Sequence, residues 1–212
     1  MIEYKGRYKL RGGRMAKKAF DGAVIMAPLP CVMVTSGTQE KPNVMTVAWT
    51  GILNTHPAKT YISVRPSRHS HKLITESGEF VINLVPSTLV RALDFCGVRS
   101  GKDTDKFKLM NLTAEESVAV SAPTLAESPL SLECRVFDTV SLGTHDMFLA
   151  DIVKMTVSEE IIDENGKFCL EKAGLLAYMH GGYYTLGKKI GSFGYSVKKK
   201  KKVKAGQKPF KK

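Results

Sequence analysis

A mainly β chain whose strands close into an antiparallel barrel is the fold class this sequence predicts, and three observations carry it. Six runs rich in Val, Ile, Thr and aromatic residues are bounded by clusters of Gly, Pro, Asn and Asp. Helix-compatible stretches are few and short. No strand–helix–strand alternation recurs that would build a doubly wound parallel sheet.

The runs are CVMVTS (31–36), VMTVAWTGIL (44–53), TYISVR (60–65), EFVINLV (79–85), LSLECRVFDTVSL (130–142) and MFLADIVKMTVSEEII (147–162). TQEKPN (38–43) has the composition of a hairpin turn, and DENG (163–166) that of another. A short helix is expected after Ser67, stopped by Gly78. A second is expected from Ser87 to Cys96, with Leu89, Val90 and Leu93 at helical spacing and Gly97 just past its end. Residues 98–129 read as a long polar loop with apolar insertions, the kind that covers an interface or a site.

At 212 residues and 43% hydrophobic content the chain suits one buried core. Its longest apolar run, residues 23–34, is broken by Pro28 and Pro30 and is too short for the ~20 residues of a membrane span. The basic N-terminus lacks the apolar stretch of a secretory leader, so a cytoplasmic protein is expected. Cys31, Cys96, Cys134 and Cys169 lie far apart with no CxxC, which argues for reduced structural thiols and against zinc. The five histidines show no metal-ligand spacing, so no metal is expected.

The net charge of +12 is concentrated at the ends. Residues 1–18 carry +6 and residues 198–212 carry nine lysines and no acid, leaving the body, 19–197, at −3. The reading is therefore a basic N-terminal extension, one domain over 19–197, and a disordered lysine-rich tail. Nucleic acid is expected to bind only weakly, through the tail, by counterion release.

The stretch RPSRHSH, residues 65–71, interrupts two apolar runs. With period two, Ser63 and Arg65 share one strand face, while Ile62 and Val64 share the other. Pro66 sits at the corner and Ser67 is placed to cap the following helix, whose first N–H groups, at Arg68, His69 and Ser70, would converge with the helix dipole. The two guanidiniums and the Ser67 and Ser70 hydroxyls would make this corner a receptor for a phosphate monoester. A capped helix with solvated arginines is the plain alternative. In the preceding run, Val44, Thr46, Ala48, Thr50 and Ile52 form a small, hydroxyl-bearing face that would admit a flat ligand, or would meet solvent or another subunit. Asn83 offers an amide nearby. GVRSGKD fails as a Walker loop in both spacing and final residue, and neither G-x-G-x-x-G nor G-x-S-x-G is present.

The succession KPNVMTVAWTG, YISVRPSRHSHKLITESGEFVINL, DFCGVRSGKDTDKF, LECRV, GTHDMFLADI and YMHGGYYTLGKKIGSFGYSV resembles the flavin reductase-like, FMN-binding split-barrel family, and within it the flavoredoxin branch. The likeness runs from Pro28 to Val197. It implies a six-stranded Greek-key split barrel that forms a homodimer and binds FMN near the subunit interface. By position, Met45, Thr46, Val47, Ala48 and Trp49 would meet the isoalloxazine edge. Ser63, Arg65, Pro66, Ser67, Arg68 and Ser70 would form the ribityl phosphate path. Asn83, Ser100, Asp105, Lys106 and Phe107 would close over the cofactor, with Lys106 near N1 and O2 as a catalytic electrostatic group. His145 matches the histidine of a GDH motif, here written GTHD, beside the nicotinamide of NADH or NADPH, and His180 would approach from the C-terminal region. A redox protein is the other electron partner implied. A pyridoxamine-phosphate oxidase-like enzyme and a nucleic-acid-binding module are the rival readings.

Overall fold

The computed structural model describes residues 17–198. The predicted basic extension and lysine-rich tail lie outside the described residues, apart from Lys17, Lys18 and Lys198. In chain order the elements are β1 (Leu29–Pro30), β2 (Val32–Gly37), β3 (Pro42–Val47), β4 (Thr50–Thr55), β5 (Ala58–Val64), α1 (His69–Ser77), β6 (Glu79–Leu84), α2 (Val90–Val98), α3 (Lys106–Met110), β7 (Ala114–Glu115), β8 (Thr124–Leu125), β9 (Leu130–Ser141), β10 (Asp146–Val157), β11 (Leu176–Met179) and β12 (Gly182–Thr185).

The main sheet runs β3-β2-β6-β9-β10-β5-β4, antiparallel throughout. Its two edges, β3 and β4, are consecutive in the chain. The single strand expected over 44–53 breaks at Ala48–Trp49, sending one half to pair with β2 and the other with β5. The Trp49 carbonyl accepts from Ser63 N at 2.9 Å across this break. Counting β3 and β4 as halves of one strand gives a six-stranded split barrel. The strands β2, β3/β4 and β5 follow one another, and β6 returns beside β2, which is the Greek-key order. The β5–β6 crossover carries residues 65–78, so the arginine-rich corner and α1 sit at one end of the barrel.

Inside the barrel, alternate residues of each strand form the core: Val32 and Val34, Met45 and Val47, Ile62 and Val64, Phe80 and Ile82, with Cys134, Phe148 and Ala150. Ile74 of α1 plugs the end. Gly78 ends α1 in the left-handed conformation, φ 69°, as its sequence position predicts. A second core lies outside the β2–β3 wall, where Cys31, Met33 and Val44 pack against Leu93 and Cys96 of α2 and Phe107 of α3. The expected 87–96 helix instead opens with a 3₁₀ turn and continues as α2 to Val98, so Gly97 lies inside it. There a built Cβ would come within 3.3 Å of Thr46, so the missing side chain is what lets α2 approach β3. The small face of 44–52 is thus covered in part by protein: Val44 is core, and the Thr46 hydroxyl donates to the Leu93 carbonyl.

The 98–129 segment is pinned by acids of the sheet. Fully buried Glu133 accepts from the Val118 and Ala119 N–H groups, and Glu79 accepts from Ser121 while pairing with Arg135. The DENG turn forms as expected, with Gly166 N donating to Asp163 O at 2.9 Å. A separate sheet, β1-β11-β12, was not evident from the sequence.

Burial pushes the Cys31 and Cys96 thiols up to about 11 and Cys134 up to about 12. An unfolded thiol releases its proton near 9, so the stability tied to these groups is fully present below pH 9 and lost as pH rises toward 11–12. Lys106, lowered by its own burial, contributes with the opposite sign, as one group against three. The unfolding free energy from urea titration is expected to fall as pH rises above 9, by on the order of 1 kcal/mol per pH unit per thiol. A Cys31→Ala, Cys96→Ala, Cys134→Ala variant measured across the same range should show a markedly flatter profile.

Candidate functional site

Two adjoining cavities lie at the barrel end formed by the β5–β6 crossover, and they share Met45, Arg65 and Arg68. One, of about 220 Å³, is lined by Arg65, Ser67, Arg68, His69, Ser70, Cys96, Arg99, Ser100, Gly101 and Lys106 besides Met45. The other, of about 150 Å³, is lined by Met45–Trp49, Ser63–Arg65, Arg68 and His145. The first is a cationic corner: three guanidiniums and an ammonium border it, and no acid does. The second is a groove along the backbone of the β3–β4 break.

The corner is built by local chain geometry. Alternation on β5 buries Ile62 and Val64 and turns Ser63 and Arg65 toward the groove, as predicted. Residues 65–68 form a turn closed by Arg68 N donating to Arg65 O at 3.0 Å. Pro66 occupies its second position, where a fixed φ suits the turn, and Pro66 itself lines neither cavity. The predicted cap is corrected by one residue: Arg68, extended at φ −77° and ψ 137°, holds the N-cap position with no side-chain capping bond. Ser67 therefore keeps its hydroxyl for the cavity, and α1 opens toward the cavity with His69 and Ser70. Arg68 is aimed by its Nη1, which donates to Gly97 O at 3.1 Å.

Lys106 is 5% exposed, and its ammonium donates to Val44 O at 2.7 Å and to Cys96 O at 3.0 Å. It ties β3 to α2 and borders the cationic corner, whereas the resemblance put it at the ring edge. One of its three N–H bonds remains for the cavity. Burial lowers its pKa, with the Arg68 charge acting in the same direction and Cys96 opposing.

Three other expected residues are placed elsewhere. Asn83, 0% exposed, is a core polar hub: its Nδ2 donates to Met33 O and Thr35 Oγ1, and its Oδ1 accepts from Leu125 N and Ser131 Oγ. All its hydrogen-bonding capacity is spent inside the β2–β6–β9 wall. Asp105 caps α3 by accepting from Lys108 N, and Phe107 is mostly buried. Both border a different cavity of about 510 Å³, together with Lys41, Lys102 and Lys108. Of the loop residues expected to close over a ligand, Ser100 and Lys106 reach the cationic corner.

Sequence reasoning missed Arg99, Cys96 and Asn43, whereas His69, expected beside the corner, does border it. Arg99 follows α2 directly and reaches the corner only because α2 packs on β3. Asn43, 6% exposed, donates from Nδ2 to Ser36 Oγ at 3.0 Å and Ser70 Oγ at 2.7 Å. With Asn43 donating to Ser70 Oγ, that hydroxyl keeps its own hydrogen for another acceptor, and Ser70 borders the cavity. Asn43 Oδ1 has no hydrogen-bond partner and lies against Gly101, where a built Cβ would stand 2.0 Å from it. That contact requires glycine at 101.

At the far end of the groove the His145 and Trp49 rings lie 4.5 Å apart at 42°. Thr144 Oγ1 is 2.9 Å from His145 Nδ1. Burial and the Arg65 charge lower the His145 pKa, which favours the neutral ring. His180 stands apart from this end, on the β11–β12 turn at φ 45°, where it borders an apolar hollow with Val24, Met26, Leu29, Trp49 and Tyr178. Trp49 is the wall common to the groove and this hollow. Among the described residues no cluster of His, Cys, Asp or Glu has metal-binding geometry, and no helix is long and apolar enough to cross a membrane.

The model of the flavin reductase like domain matches residues 26–187. An uncharacterized protein of Pyrococcus abyssi is 31% identical over 147 residues, spanning 69% of this chain and 84% of its own. Another, from Archaeoglobus fulgidus, is 35% identical over 136 residues, 64% of this chain and 76% of that one. The fold superposes on the flavoredoxin of Desulfovibrio vulgaris (Miyazaki F) with a TM-score of 0.80 at 26% identity, covering 86% of this chain and all of that chain. It superposes on the flavoredoxin of Methanosarcina acetivorans with a TM-score of 0.78 at 27% identity, with the same coverage. A cationic corner opening into a groove at the end of a split barrel, and a domain match over most of the described residues, lead to one assignment: the chain belongs to the flavin reductase-like family.

Proposed function

We propose that the chain binds FMN across the two cavities and works as an NAD(P)H-dependent flavin oxidoreductase. The observation that carries the reading is the adjacency of an acid-free cationic corner and a backbone-walled groove ending at Trp49 and His145. A phosphate monoester fits the corner by charge and by donor count. Arg65, Arg68 and Arg99 supply guanidiniums, Ser67, Ser70 and Ser100 supply hydroxyls, and α1 supplies its opening N–H groups. Asn43 holds the Ser70 hydroxyl in place, and Lys106 closes the corner from beneath.

FMN when bound supplies hydride acceptance and onward electron transfer. The chain's part is placement and proton control. The 46–49 backbone offers hydrogen-bonding groups along the groove, and Trp49 shields its end from water. Neutral His145 can donate or accept one hydrogen bond toward a nicotinamide amide entering beside Trp49. Arg65, which borders both cavities, is placed to balance negative charge that develops between phosphate and ring.

A homodimer is part of this reading. Ile52, Leu53, Phe137, Val140, Val153 and Met155 are exposed apolar residues on the strands β4, β9 and β10, an area suited to a second copy. Four free, buried thiols support a reducing, cytoplasmic setting.

The test is an absorbance spectrum of the protein reconstituted with FMN, followed by anaerobic addition of NADH and, separately, NADPH. Flavin bands shifted from those of free FMN, then bleached by either nucleotide, are the expected result. A protein that fails to retain FMN rejects the cofactor. One that holds FMN and is bleached by neither nucleotide rejects the donor.

A further inference from the structure

The residue at the end of the groove, His145, sits where sheet pairing stops. Asp146 is the last position held by both neighbours, opposite Val64 of β5 and Ser141 of β9. Beyond it the chain enters the tight turn 142–145, closed by Leu142 N donating to His145 O at 2.9 Å, with Leu142, Gly143 and Thr144 exposed. A histidine at the end of such a ribbon is positioned only as well as the residue beneath it.

That residue is tied to the other half of the site. His71 of α1, next in sequence to Ser70 of the cationic corner, donates from Nε2 to Asp146 Oδ2 at 2.8 Å. Both side chains are mostly buried, at 16% and 18% exposure. The His71 ring is itself seated against the core residue Phe148, centroids 5.1 Å apart. Ser141 of β9 stands directly opposite Asp146 in the strand pairing. The pair therefore joins three elements at one point: the helix that opens on the corner, the barrel core, and the ribbon that carries His145.

We propose that His71 and Asp146 are a positioning pair that holds His145 against Trp49 at the mouth of the groove and couples its place to the helix of the cationic corner. Neither residue lines the groove, so both act through His145. The inference rests on the reading of His145 as the residue beside the flavin ring, and it adds the device that sets that residue's position. Arg65 shares the groove lining with His145 and acts on it from that side, whereas neither member of the pair borders the groove.

The experiment is proton NMR of the full chain, following the His145 Hε1 resonance, which is assigned by its loss in His145→Gln. Stacking on Trp49 should shift it upfield, an effect abolished in Trp49→Leu. His71→Ala and Asp146→Ala should each move it toward the value of a free histidine, whereas Asp146→Asn, which still accepts from His71, should keep it in place. Unchanged His56 and His180 resonances and far-UV circular dichroism report an intact fold, which a merely structural loss would not leave. Should Asp146→Ala not fold, His71→Ala decides alone. With FMN loaded, the two alanine variants should keep FMN affinity within about 3-fold and slow reduction by the nicotinamide nucleotide by about 10-fold or more, as expected for a displaced positioning group. A His145 resonance unmoved in His71→Ala overturns the proposal. If the wild-type protein retains no flavin, the cofactor reading falls, and the His145 resonance still decides the positioning claim.

Discussion

Replacing Arg65 and Arg68 together by alanine is expected to weaken FMN binding by about 100-fold while leaving riboflavin binding within about 3-fold. Each guanidinium can offer charge-assisted hydrogen bonds worth roughly 1.5–3 kcal/mol, and two would give far more than 100-fold if fully desolvated. Both side chains keep solvent contact, so screening reduces the figure. Riboflavin, which lacks the phosphate, is the internal control: it uses the groove along 46–49 and not the corner. Fluorescence-quenching titrations of both flavins with both proteins check this. Equal losses for the two ligands would place the damage in the groove or the fold, and would remove the corner as the anion site.

The second large effect concerns Lys106. Its ammonium is the hydrogen-bond partner of the Val44 and Cys96 carbonyls between β3 and α2. Lys106→Met removes both bonds and keeps most of the volume, leaving two buried acceptors without donors at about 1–3 kcal/mol each. A loss of about 3 kcal/mol in urea unfolding at pH 7 is expected, together with weaker FMN binding. A ring-edge role makes the opposite forecast: unchanged stability, unchanged FMN affinity and a shifted flavin reduction potential. Unfolding curves and a potentiometric titration on the one variant separate the two.

The parts of this molecule that were legible in its sequence are those set by local rules. The period-two alternation of β5 put Ser63 and Arg65 on one face because a half-buried strand permits little else. Gly78 marked the end of α1 because its backbone must turn left-handed there. The corner itself was legible because all its early members lie within six residues, Arg65 to Ser70.

What was hidden depends on neighbours distant in sequence. The break between β3 and β4 carries no Gly or Pro at Ala48–Trp49; it exists because the barrel must close between β2 and β5. Asn83 looked available for a ligand because its strand neighbours do not reveal that Met33, Thr35, Leu125 and Ser131 surround it. Arg99 and Asn43 join the corner through the packing of α2 and α1 on β3. Ser67 was a reasonable cap by composition, yet the turn closed by Arg65 places Arg68 at that position instead. The sheet β1-β11-β12 escaped notice because its strands are two to four residues long, and the β11–β12 turn at His180–Gly181 was obscured by aromatic residues on both sides.

Crystals of the protein grown or soaked with FMN test the central claim most directly. Electron density for the phosphate among Arg65, Ser67, Arg68 and Ser70, with the ring along 46–49 and its edge near His145, is the predicted result. Density that places the phosphate away from that corner, or the ring in the apolar hollow beside His180 with the corner holding only water, would contradict it.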